Sequence, residues 1–193
     1  VNITILGAGA IGGLAGAYMT KAGYEVTLVD RWTEHVAAMN QRGLFIDGVR
    51  GEQTVPVKAV TPEQLSGPLE AVLIATKSQH AAEAVPMLFP HLGETTFIVS
   101  YQNGLNEPLI ADLLEEAGLG DMNRVIGSIP NYGGALVAPG HIEFVHEGPI
   151  ELGEMDGRDT ARLRHLTCML SALTEVKLTD NIWGLIWAKQ VYS

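Results

Sequence analysis

Three polar side chains stand where a chain of this pattern would do chemistry: Lys77 in Ala-Thr-Lys-Ser-Gln, Asn103 in Tyr-Gln-Asn-Gly, and Lys189 in Trp-Ala-Lys-Gln. Lys77 follows an almost continuous apolar run at 69–76, and Asn103 follows a second at 95–100. In open α/β sheets, ligands gather beyond the carboxyl ends of strands, where both residues fall. Hydride reduction of a ketone makes an alkoxide, so such a site needs a placed proton donor and a cation for any substrate carboxylate. Lys189 is a lone cation in a helix otherwise apolar, and full burial lowers a lysine pKa by up to ~3–5 units, which would make it a working acid near neutrality. Each residue also has a plainer reading. Lys77 would be an ordinary lysine opening a helix, Asn103 half of an Asn-Gly turn, and Lys189 a snorkelling surface cation.

The element that would hold a cofactor for this chemistry opens the chain. Gly7-Ala8-Gly9-Ala10-Ile11-Gly12 carries the pattern GxGxxG between a β-branched run at 2–6 and an amphipathic helical run from Ile11 to a stop at Gly23. The first glycine allows the sharp turn, the second lets a pyrophosphate meet bare backbone, and the third lets helix and sheet pack closely. The helix start then offers unpaired N–H groups and a partial positive charge to phosphate. A second strand at 25–29 ends in Asp30, at the distance from the motif where a carboxylate takes ribose hydroxyls. Asp30 therefore favours NAD(H), so that its replacement by alanine should lower KM for NADPH, while Arg31 beside it suits the 2′-phosphate of NADP(H). FAD in the same turn is the competing reading.

The remaining pattern is that of an α/β fold: a Rossmann-like parallel sheet with helices on both faces and a short antiparallel extension. Helices are expected at 33–42, 81–88 and 158–173, with another capped by Asn106 and stopped by Gly118. Residues 44–60 read as a short β excursion, and 124–129, 141–145 and 149–153 as strands more antiparallel than βαβ. Residues 1–179 would form the dinucleotide-binding domain, and 180–193 the start of a linking helix. That helix is apolar all round and has no stop signal, so the sequence reads as a cut piece, an N-terminal domain whose C-terminal partner is missing.

Composition narrows the partners. Twelve Lys and Arg against 22 Asp and Glu give a net charge of −10, with no basic cluster. That excludes nucleic acid and anionic membrane surfaces and leaves a small molecule as partner, with a homodimer allowed. One cysteine, Cys168, rules out a disulfide framework within the chain and suits a reducing cytoplasm. No apolar stretch is long enough to span a bilayer, and the N-terminus lacks a signal-peptide pattern. The six histidines show no metal-ligand spacing. His80, His91 and His165 read as surface residues, His141 and His146 as structural.

The residues together resemble the ketopantoate reductase (2-dehydropantoate 2-reductase) family along nearly the whole chain. The likeness rests on Gly7–Gly13, Arg31, the Lys77 turn, Gln102-Asn103-Gly104, the stretch from His141-Ile142 to Leu152-Gly153, and Trp187 with Lys189. It implies a Rossmann domain followed by a helical domain, with the active site between them, and a 2-ketoacid substrate reduced with NADP(H). By the same resemblance Gly7, Ala8, Gly9, Ala10, Ile11 and Gly12 hold the pyrophosphate, and Asp30 and Arg31 lie at the ribose. Lys77, Asn103 and Gly133 line the cofactor, Asn103 and Ser193 meet substrate, and Lys189 is the general acid. Ser193 stands where the family usually has asparagine, and Asp30 is unusual beside a 2′-phosphate. An NAD-dependent D-2-hydroxyacid dehydrogenase on the same scaffold, or a non-catalytic redox-sensing module, are the alternatives.

Overall fold

The computed structural model describes residues 2–192. Ile3–Leu6 (β1) leads through Ala10–Lys21 (α1) to Val26–Val29 (β2), the βαβ start that the glycine turn predicts. Thr33–Arg42 (α2) ends at Gly43, whose positive φ turns the chain into Leu44–Gly48 (β3) and its antiparallel partner Gln53–Val55 (β4). The expected excursion at 44–60 is therefore divided. Lys58–Val60 (β5) leaves it to join the main sheet, parallel to β2.

Leu69–Ile74 (β6) is followed by Ala81–Ala84 (α3), and then by a 3-10 segment at Val85–His91. The longer helix expected at 81–88 stops because Pro86 and Pro90 cannot give the amide hydrogens that an α-helix needs. Next come Leu92–Ser100 (β7), Glu107–Glu116 (α4) and Val125–Pro130 (β8). Gly133–Ala138 (β9), which the sequence reading missed, forms a hairpin with His141–His146 (β10). Ile150–Glu154 (β11), Ala161–Leu170 (α5), Val176–Leu178 (β12) and Ile182–Tyr192 (α6) complete the chain.

The main sheet has eight strands in the order β12-β11-β8-β7-β6-β1-β2-β5. All neighbours run parallel except β8 and β11. The second sheet, β4-β3-β10-β9, contains the expected strand at 141–145, but that strand lies parallel to β3 as well as antiparallel to β9. Strand alternation assigns side chains to two cores. Ile3, Ile5, Ala71 and Leu73 face α1, α5 and the second sheet, whereas Leu6, Val72 and Ile74 face α3 and α4. Each such fully buried Ile or Leu contributes roughly 1.5–3 kcal/mol. The chain leaves β1 toward β2 on one side and takes up β6 on the other, so a crevice opens between the carboxyl ends of β1 and β6.

Candidate active site

A cleft of about 760 Å³ occupies that crevice. Its floor is Gly7, Gly9, Ala10 and Ile11, one rim is Asp30 and Arg31, and Lys77 stands at its other edge. Gly134 and Leu136, from β9, form the far wall. Gly7 has a φ of +100°, and a side chain there would lie 2.7 Å from the Thr76 nitrogen. At Gly12 a Cβ would sit 2.1 Å from the Gly7 oxygen and 2.8 Å from Ala75 Cβ. Those two glycines are required by the protein's own packing. Gly9 differs: a Cβ there would meet nothing within 4 Å. Its missing side chain leaves empty space over the first N–H groups of α1, which have no preceding carbonyls to bond. Such a bare, donor-rich concavity fits the pyrophosphate of a dinucleotide.

Asp30 holds this turn. Oδ2 accepts the Ala8 N–H at 2.9 Å and Oδ1 accepts the Trp32 N–H at 2.9 Å. Each oxygen thus anchors one backbone amide and keeps a further lone pair, and Asp30 lines the cleft where the sequence places a ribose acceptor. Arg31, by contrast, is exposed at the rim.

Lys77 is positioned by the neighbouring strand. Gln102 Nε2 donates to the Thr76 carbonyl at 2.6 Å and lies 3.1 Å from Thr76 Oγ1, while Ser78 Oγ donates to Asn106 Oδ1 at 2.5 Å. The turn after β6 is thus clamped on both flanks by the turn after β7. Asn106 Nδ2 also donates to the Asn103 carbonyl at 3.0 Å, so its amide joins loops and does not cap α4 as expected. Asn103 itself is exposed, on the loop between β7 and α4.

Lys189 is half-buried on α6, where its ammonium donates to the Pro130 carbonyl at 3.1 Å and to Asn131 Oδ1 at 3.4 Å. Asn131 Nδ2 in turn donates to Glu151. Burial lowers the Lys189 pKa, and the charge of Glu151 opposes that fall without cancelling it. The cation therefore lies at the carboxyl end of β8, and α6 is seated by Ile182 and Ile186, which are buried, while Trp187 and Val191 are exposed. Behind the Asn103 loop, Glu107 is fully buried, and its carboxyl has no well-formed hydrogen bond, only the nearby Ser100 hydroxyl and the Asn106 and Glu107 amides. Burial raises its pKa.

Residues 3–157 match the sequence profile of the family described as Ketopantoate reductase PanE/ApbA. The chain belongs to this family. It is 33% identical over 192 residues to the 2-dehydropantoate 2-reductase of Pyrococcus abyssi, covering 99% of this chain and 60% of that protein. The crystal structure of 2-dehydropantoate 2-reductase from Geobacter metallireducens superimposes with a TM-score of 0.88 at 31% identity, covering 100% of this chain and 62% of that one. The ternary structure of D-mandelate dehydrogenase with NADH and anilino(oxo)acetate shares the fold, with a TM-score of 0.86 at 23% identity, over 98% of this chain and 60% of that one.

The chain thus spans about 60% of the length of the ketopantoate reductase relatives it matches. Of the residues singled out from the sequence, the cleft unites Gly7, Gly9, Ala10, Ile11, Asp30, Arg31 and Lys77. Asn103 and Lys189 lie outside its lining, and Gly12 is buried beneath it as a packing residue. Ala8 does not reach it: the residue has 0% exposure, and its N–H and carbonyl bond to Asp30 and His35. Gly133 also turns away, its missing side chain leaving room for the His146 ring, and Gly134 takes the wall position instead. His80 belongs to the cleft and not to the plain surface. Ser193 falls outside the described residues. Asn131 escaped the sequence reading although it follows a strand's carboxyl end, the same signal that found Lys77. His35 gave no spacing signal at all. Among the described residues no helix is long and apolar enough to cross a membrane, and no group of acidic, His or Cys side chains could hold a metal ion.

Proposed function

We propose that this chain binds a nicotinamide dinucleotide in the cleft between β1 and β6 and serves the reduction of a 2-ketoacid, with 2-dehydropantoate as substrate and pantoate as product. The observation that carries the reading is the empty space at Gly9, which the fold itself does not need. The names of the relatives support the substrate, and the NADH in the related D-mandelate dehydrogenase structure supports the cofactor class.

The N–H groups of Gly9, Ala10 and Ile11 would hold the pyrophosphate, with Lys77 adding positive charge from the opposite edge. Arg31, exposed at the rim, would supply a cation for the 2′-phosphate of NADP(H), and Asp30 beside it can still accept a ribose hydroxyl. Bound in its reduced form, the cofactor supplies a hydride to the substrate carbonyl. The new alkoxide needs a proton, and Lys189 is the group able to give it: its ammonium is half-buried, so it parts with a proton more readily than an ordinary lysine. Pro130 and Asn131 aim that ammonium by accepting its hydrogens. Asn103 lies on the loop at the carboxyl end of the next strand, where it would contact substrate.

The test is a spectrophotometric assay at 340 nm with the intact protein, NADPH or NADH, and 2-dehydropantoate. Steady oxidation of NADPH that depends on 2-dehydropantoate is expected. Oxidation with other 2-ketoacids alone would reassign the substrate, and a lack of binding to either coenzyme would overturn the reading.

A further inference from the structure

Both backbone groups of Ala8 are held by side chains. The N–H donates to Asp30 Oδ2 at 2.9 Å, and the carbonyl lies 2.9 Å from Nε2 of His35. The His35 ring is fully buried, and its other nitrogen, Nδ1, accepts the Gly140 N–H at 2.9 Å. An amide N–H can only donate, so Nδ1 carries no proton, and the neutral ring must bear it on Nε2. The Ala8 carbonyl is therefore the acceptor of an oriented hydrogen bond. Trp32 lies over the ring, with centroids 5.7 Å apart and planes 25° from parallel.

Gly140 is the turn of the β9–β10 hairpin, with a φ of +75°, and a Cβ on it would come within 3.0 Å of Ala38 Cβ on α2. The hairpin is thus seated on the helix that carries His35, and its strand β9 supplies Gly134 and Leu136 to the cleft. One imidazole joins the floor of the cleft to its far wall. The orientation matters because the Ala8 carbonyl and the Gly9 N–H belong to one planar trans peptide. Drawing the carbonyl toward His35 sends the Gly9 N–H the opposite way. Asp30 fixes the preceding peptide in the same manner. An apolar side chain of equal volume would fill the position as core, but would leave the Ala8 carbonyl and the Gly140 N–H without partners.

We infer that His35 is a positioning residue for the dinucleotide: by holding the Ala8 carbonyl and the hairpin turn together, it sets the direction of the phosphate-binding N–H groups against the opposite wall. The inference rests on the dinucleotide reading above.

The test compares the intact parent protein with His35→Phe, His35→Gln and His35→Asn by isothermal titration. Two ligands are used: NADPH, and adenosine 2′-monophosphate, which carries the adenosine end without the pyrophosphate. Phenylalanine keeps the ring against Trp32 and removes both hydrogen bonds. NADPH should bind it about tenfold more weakly, the equivalent of one net hydrogen bond, while adenosine 2′-monophosphate binds as to the parent. Glutamine, whose amide nitrogen can stand where Nε2 stands, should restore NADPH binding. Asparagine, too short to reach Ala8, should not. If His35→Phe fails to fold, the comparison of glutamine with asparagine decides alone. Equal NADPH binding by all the folded variants, or equal loss of both ligands, overturns the inference and leaves dinucleotide binding intact. A parent that binds neither NADPH nor NADH overturns the dinucleotide reading and this inference with it.

Discussion

Gly9→Ala should separate binding from folding. The backbone at Gly9 has φ −65° and ψ −165°, which alanine adopts without strain, and the added methyl would touch nothing within 4 Å. A compatible Gly-to-Ala change stabilises by ~0.4–1 kcal/mol through the unfolded chain, so Tm should rise by roughly 1–4 °C for a chain of this size. The same methyl would stand where the pyrophosphate approaches the N–H groups of α1. Hydrogen bonds to a charged group contribute ~1.5–3 kcal/mol, so losing one should weaken NADPH about 10- to 100-fold. Gly12→Ala is the contrasting perturbation. Its methyl would lie 2.1 Å from the Gly7 oxygen, a backbone atom that cannot step aside. Overpacking of this kind costs about 1–3 kcal/mol or more, and Tm should fall. Thermal unfolding followed by circular dichroism, paired with NADPH titration, measures both effects. If Gly9→Ala binds NADPH as tightly as the parent, the space over Gly9 is not the phosphate site and the argument from it fails.

Other expectations follow from the same geometry. Lys189→Ala in the intact protein should lower kcat by about 10²- to 10⁴-fold, the range for a lost general acid, with the NADPH dissociation constant unchanged by titration. Because the lysine must be protonated to act, the rate should fall as pH rises through its lowered pKa. Glu151→Gln removes the charge that holds that pKa up, so the falling limb of the pH–rate profile should move to lower pH. Asp30→Ala should weaken NADH and NADPH alike, since it releases the Ala8 and Trp32 N–H groups; an improved KM for NADPH alone would show that the carboxylate acts chiefly by repelling a 2′-phosphate. Glu107→Gln should stabilise the protein at neutral pH. The folded protein holds Glu107's proton more tightly than the unfolded chain does, so its carboxyl stabilises the fold in acid and loses that contribution as pH rises through its raised pKa. The advantage of glutamine in Tm should therefore vanish below the ordinary carboxyl value of 4.5.

The parts of the fold that were legible are those where one local rule dominates. Gly7, Gly9 and Gly12 between a β-branched run and an amphipathic helix fix the β1–α1–β2 start. The almost unbroken apolar run before Lys77 marks a strand covered on both faces. What could not be read depends on partners distant in sequence. β9 is a largely exposed run, Gly133–Ala138, without strong alternation, and it becomes a strand only because β10 pairs with it. Asp30 stands where a ribose acceptor belongs, and nothing local says that one of its oxygens also reaches back 22 residues to the Ala8 N–H. Asn106 has the type and place of a helix cap, yet Ser78, 28 residues earlier, draws its amide into a bridge between loops. Lys189 was visible as a lone cation, but Asn131, just past the end of β8, and Glu151, on β11, which orient it and tune its acidity, meet only because the fold pairs those two strands.

The seat of α6 has a mechanical consequence. A Cβ on Gly127 would lie 2.8 Å from Ile182 Cγ1, and one on Gly153 would lie 3.0 Å from Ile182 Cβ. That isoleucine is a peg in a two-glycine socket, and the helix beyond it is a lever with the ammonium near its far end. Seven residues at about 1.5 Å each put Lys189 roughly 10 Å from the fulcrum, so a tilt of ~10° there would swing it nearly 2 Å. A methyl added at Gly127 would therefore shift the Lys189 ammonium against Pro130 and Asn131 while leaving the Gly7–Gly12 turn untouched.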